Sequence, residues 1–84
     1  MEVPLNETQM RILRYLRDHH QKISINFLVE RIMPDHQATI VNALLGLSDR
    51  GLIKWSTAAD KITREVAITE LGISVFETLV KVDG

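Results

Sequence analysis

A mostly α-helical fold with one small β-hairpin is what this chain predicts, and three observations carry that expectation. Apolar residues recur at helical spacing in four separate stretches. After Gly51 the period shifts to strand-like alternation, running to Ile68. Pro34 and Gly51 stand where one element has to stop before the next begins.

The first helix has a marked start. Asn6 and Gln9 have the spacing of a capping box, and Leu5 and Met10 sit where a hydrophobic staple would pack. Beyond them Ile12, Leu13 and Leu16 share one face with His20 at its edge, and Arg11, Arg14, Arg17 and Asp18 lie opposite; the helix is expected to end near His20. Ser24 suits the N-cap of a short second helix whose apolar contacts are Ile25, Leu28, Val29 and Ile32. Pro34 ends it, because a proline pushes the preceding residue out of the helical region.

Asp35 is expected to cap a third helix running from about His36 to Asp49. In it Ile40, Ala43, Leu44 and Leu47 fall at i, i+3, i+4 and i+7, the spacing of a core-facing stripe. Gly51 suits the left-handed turn that closes a helix. Ile53 and Trp55 then alternate with Lys54 and Ser56, and Ile62, Val66 and Ile68 alternate with Thr63, Glu65 and Ala67. The polar stretch Thr57 to Lys61 between them has no Gly or Asn-Gly, so a longer hairpin loop is expected rather than a two-residue turn. Thr69 caps a last helix reaching to about Val82. This order is a winged helix-turn-helix: a three-helix core, a two-stranded wing and a C-terminal helix, read as one domain over residues 1–84.

Bulk properties narrow the function. With 84 residues, 45% hydrophobic and 25% charged, the chain fits one globular domain and not a disordered tail. It has no cysteine, hence no disulfide framework and no thiolate metal site. No apolar run approaches the roughly 20 residues of a membrane span, and no basic segment precedes an apolar leader. A cytoplasmic protein with no membrane association is therefore expected. The net charge of −1 lacks the basic excess common in nucleic-acid-binding domains, so any such role has to rest on local charge.

The outer face of the third helix presents Gln37, Ala38, Val41, Asn42 and Leu45, with Thr39 beside them. Gln and Asn can bond the adenine N6/N7 edge in two places, and small apolar groups can touch a thymine methyl. A rival reading makes Ala38, Val41 and Leu45 an apolar strip for a protein partner, and a third leaves the face merely solvated. In the wing, Lys54, Lys61 and Arg64 suit phosphate contacts, with Thr57 and Thr63 as hydroxyl donors; Asp60 and Glu65 dilute the charge. Trp55 reads as a core aromatic. Arg11, Arg14 and Arg17 read as a solvated face.

In the last helix Leu71, Val75, Leu79 and Val82 form one apolar face. Ile73, Phe76 and Val80 form a second. Together they cover more of the helix than a surface helix needs, which marks a partner surface. A homodimer through Ile73, Phe76 and Val80 is the expectation, and it would set two third helices at a palindrome's half-site spacing. His19 and His20 point about 100° apart on a helix, so no metal site is expected. No cofactor is expected either. Phosphate loops, nucleophile elbows and paired catalytic carboxylates are missing from the sequence, which argues against an enzyme.

The segment Leu47-Ser-Asp-Arg-Gly-Leu-Ile53, followed by Ala67-Ile-Thr-Glu-Leu-Gly72, resembles the recognition-helix end, wing and helix start of the MarR-like winged-helix regulators. The likeness runs from about Asn6 to Leu79. It implies a dimeric transcription regulator that binds double-stranded DNA, with the third helix in the major groove and the wing along the backbone. It also implies that Arg50 is a structural or phosphate-facing arginine. The chain departs from the family in its short length and in a third helix poor in basic residues.

Overall fold

The computed structural model describes residues 5–19 and 21–83, with side chains through residue 80. Seven elements follow one another: α1 (Glu7–His19), β1 (Ile23–Ser24), α2 (Ile25–Ile32), α3 (Gln37–Asp49), β2 (Ile53–Thr57), β3 (Arg64–Ile68) and α4 (Glu70–Asp83). His20, expected at the edge of the α1 face, lies outside the described residues.

The local signals act much as the residues suggest. The Asn6 side chain accepts from the Gln9 amide at 2.8 Å and the Gln9 side chain accepts from the Asn6 amide at 3.1 Å, a reciprocal box that satisfies two helix-start donors. Leu5 and Met10 are each partly buried against the core. Ser24 caps α2 by accepting from the Phe27 amide at 3.2 Å. The end of α3 is a Schellman turn: Gly51 has φ 75°, its amide reaches Ser48 O at 2.9 Å, and the Leu52 amide reaches Leu47 O at 3.0 Å. Leu47 and Leu52, the two residues such a turn brings together, are both buried.

One core gathers Ile12, Leu13 and Leu16 of α1, Leu28 and Val29 of α2, the Ile40–Ala43–Leu44–Leu47 stripe of α3, and Ile53 and Val66 of the sheet. No polar or charged side chain is buried among the described residues, so nothing polar has to be satisfied within it.

Four expectations need correction. The sheet has three strands and not two: β1 pairs antiparallel with β3, Ile23 opposite Val66 and Ser24 opposite Glu65, in the order β1-β3-β2. Two residues carry no period of their own; β1 forms because the buried Ile23 docks beside Val66 and the β3 edge supplies the bonds. Asp35 does not cap α3, whose N-cap is His36 with no side-chain cap bond. Ile62 is not in the hairpin ladder, since β3 begins at Arg64 and Ile62 is 84% exposed on the connecting loop.

The fourth correction concerns α4. Phe76, assigned to the partner-facing stripe, is buried at 4% exposure with the Arg17 guanidinium 4.8 Å above its ring, whereas Leu71, assigned to the core, is 53% exposed. The helix docks along the arc between the two expected stripes, centred on Gly72 and Phe76. Gly72 permits the approach: a Cβ there would run into Leu52 O and lie 2.7 Å from Ile68 Cγ1. Glycine is silent in a hydropathy pattern, so the middle of the apolar arc read as its gap.

Candidate nucleic-acid interface

The outer face of α3 and the wing enclose an open groove of about 590 Å³. Gln37, Val41 and Leu45, one turn apart along α3, form one wall; Trp55, Ile62, Thr63 and Arg64 form the other; Ile25 and Asn26 at the start of α2 close the end. With Ile40, Ala43, Leu44 and Leu47 locked into the core, Ala38, Asn42 and Leu45 are left pointing outward, all of them exposed. Thr39 is exposed on the flank away from the wing.

Alternation along the hairpin sorts the wing's charges. Thr57 pairs with Arg64 and Trp55 with Val66, so these residues share the face turned toward α3. Glu65 pairs with Ser56 on the opposite face. Arg64 therefore meets the groove while its acidic neighbour does not.

Asp60 is occupied within its own loop. Its carboxylate accepts the Thr63 hydroxyl at 2.6 Å, the Thr63 amide at 2.8 Å and the Ile62 amide at 2.9 Å. These bonds, the Thr63 hydroxyl foremost, hold the carboxyl below its ordinary range. The Ala58 amide to Thr63 O at 2.8 Å and the Lys61 amide to Ala58 O at 2.9 Å close the loop, with Lys61 in the left-handed region at φ 62°. This is how a loop without Gly or Asn-Gly makes its turn: aspartate supplies an Asx-type cap, and a lysine accepts the strained backbone.

The residues expected to contact DNA thus divide. Gln37, Val41 and Arg64 line the groove; Ala38 and Asn42 stand on its outer rim; Lys61 sits on the exposed loop beside Ile62. Three are not brought to it, the first being Thr39 on the far flank of α3. Lys54 lies on the other face of the hairpin, in a hollow with Gln21, Lys22, Ala67, Ile68 and Ile73. Arg50 lies at the far end of α3 beside Leu52, Leu71 and Val75. Thr63, expected as a hydroxyl donor, lines the groove, whereas Asn26 and Ile62 belong to it and were missed as contact residues; the signal for Asn26 is its place in the first turn of α2, two residues after the Ser24 cap.

The basic stripe on α1 is largely engaged with its own domain. Arg11 pairs with Glu7 at 3.0 Å, and Arg17 with Asp18 at 3.1 Å while covering Phe76. His19 stacks on Tyr15 with centroids 4.0 Å apart, its Nδ1 2.8 Å from Tyr15 O. No three His, Cys, Asp or Glu side chains converge among the described residues, and no described helix is long and apolar enough to cross a membrane.

No protein-family model matches the chain, and no curated protein matches it by sequence. Solved structures do. MepR of Staphylococcus aureus, a transcription regulator of the multidrug efflux pump MepA, matches in a complex with an oligodeoxyribonucleotide at TM-score 0.81 and 23% identity, over 92% of this chain and 56% of that one. ZitR of Lactococcus lactis matches at TM-score 0.79 and 26% identity, over 96% and 54%. BpsR of Bordetella bronchiseptica, whose DNA binding is regulated by 6-hydroxynicotinic acid, matches at TM-score 0.81 and 26% identity, over 92% and 54%. The chain thus spans little more than half the length of these structures. The likeness covers their winged helix-turn-helix portion, and the fold of this chain is that of the MarR-like regulators.

Proposed function

We propose that the chain binds double-stranded DNA sequence-specifically as a small dimeric transcription regulator, residues 1–84 acting as one unit, with α3 in the major groove and the wing on the phosphate backbone. The observation that carries this reading is the groove itself. It sets Gln37 and the outer face of α3 on the same side of the molecule as Thr63 and Arg64, while the acidic Glu65 faces away and Asp60 is bonded within its loop. MepR in complex with DNA supports it. In this reading Gln37 and Asn42 contact adenine edges, Ala38, Thr39, Val41 and Leu45 contact thymine methyls or sugars, and Arg64, Lys61 and Asn26 hold phosphates, the Thr63 donors being taken up by Asp60. Lys54 and Arg50 would serve only on a duplex that curves around the domain. The protein acts without catalysis or a cofactor, and in the cytoplasm.

Fluorescence anisotropy of a labelled random duplex pool at several salt concentrations tests this directly. Micromolar or tighter binding that weakens steeply with salt is the expected result, because neutralised phosphates release counterions. No binding at low salt would overturn it.

The homodimer is proposed through the margin of α4 that is left uncovered: the exposed Val80, which with Met10, Arg11 and Arg14 rims an apolar hollow, and the half-buried Ile73 two turns before it. Phe76 lines the hollow from within the core and is not itself an exposed contact. A second reading has its own observation. Val41, Leu45, Trp55 and Ile62 make the groove more apolar than phosphate contact needs, so a protein segment is the alternative occupant.

A further inference from the structure

We propose that Ile62 is an apolar wedge that enters a base step of the bound duplex through the minor groove and bends it. The inference rests on the DNA-binding reading of the groove. Among the exposed large hydrophobic residues Ile62 stands apart at 84%; Leu71, next, is 53% exposed and Leu45 50%. It sits on the loop that joins β2 to β3, beyond the sheet core.

The loop is built to hold it. Its own amide and that of Thr63 are bonded to Asp60, and the Ala58–Thr63 bond closes the turn beneath it. An insertion element on so bonded a backbone needs little ordering when it binds. Lys61 stands before it and Arg64 two residues after it, while the acid of the loop, Asp60, is turned onto the Ile62 and Thr63 donors. An apolar side chain between two cations suits a duplex, where phosphates border each groove and the base stack offers the apolar surface. An apolar protein partner would leave both cations unmatched. Isoleucine belongs to the set of side chains that wedge between base steps and kink DNA toward the major groove. Pyrimidine–purine steps unstack most easily, so the bend should centre on a TA or CA step on the wing side of the site.

The test uses duplexes selected by the wild-type protein from the random pool, labelled at their two ends for energy transfer, with anisotropy read on the same samples. Wild type and Ile62→Leu should bring the ends together. Ile62→Ser should bind about tenfold more weakly with an unchanged salt slope and leave the duplex straight. A 2-aminopurine placed at the TA or CA step should brighten with wild type and stay quenched with the serine variant. Ile62 touches no core, so circular dichroism should be the same for all three proteins. A straight wild-type complex, or an equal bend with Ile62→Ser, would overturn the wedge while leaving DNA binding intact. Failure of every variant to bind any duplex would overturn both and return the apolar loop to a protein partner.

Discussion

At Gly72 α4 lies so near the rest of the molecule that an added Cβ would run into the backbone of Leu52, which cannot swing aside. Gly72→Ala should therefore destabilise the fold by about 3 kcal/mol, at the upper end of overpacking costs, although alanine is the better helix former. Urea denaturation would show it as a lowered midpoint with little change in slope. Three residues away, Thr69 does two jobs with one hydroxyl: it donates to Gly51 O at 2.7 Å and accepts from the Gly72 amide at 3.0 Å. It ties the Schellman turn of α3 to the start of α4. Thr69→Ala should cost about 1–2 kcal/mol, and Thr69→Ser should recover most of it.

At the scale of elements, α3 and the wing have separable tasks. Gln37→Ala and Asn42→Ala should each lower affinity for a selected site by roughly 1–3 kcal/mol while leaving binding to random duplex nearly unchanged. Lys61→Ala or Arg64→Ala should weaken all duplexes alike and reduce the salt slope by about one. The wing also has a pH signature. Because the folded Asp60 carboxyl is held below its ordinary 3.8, its contribution to loop order is present above that value and lost as pH falls through the folded pKa. The amide shifts of Ile62 and Thr63 should titrate together with a midpoint below 3.8, and Asp60→Asn should abolish the transition. Between pH 5 and 8 the loop should not change.

For the whole molecule the open matter is what covers α4. With Phe76 internal, Phe76→Glu should unfold the chain and not merely dissociate it, since it would bury a charge beneath Arg17 in an otherwise apolar core. Val80 is 46% exposed, so Val80→Glu should leave the fold intact. Sedimentation should then show a dimer for the wild type and a monomer for Val80→Glu. A dimer that persists would move the interface to another surface, and a monomeric wild type would remove it. Loss of the dimer should also weaken binding to a palindromic site far more than to a single half-site.

Much of this architecture was legible in the order of residues because its signals are local. The Asn6/Gln9 box, the Ser24 and Thr69 caps, the four-residue stripe of α3 and the Gly51 turn each depend on atoms a few residues apart. Periodicity likewise placed Gln37, Ala38 and Asn42 on the outer face, because the stripe that must be buried leaves only one face to show. What the tertiary structure decided lay in contacts between distant segments. Strand β1 exists only because the edge of β3 is there to pair with it. The docking of α4 turned on a glycine, whose lack of a side chain lets the Leu52 backbone come near and leaves no hydropathic trace. The groove joins residues of α2, α3 and the wing, and only the packed hairpin showed that Arg64 faces it, that Lys54 turns away, and that Ile62 is left exposed beside it.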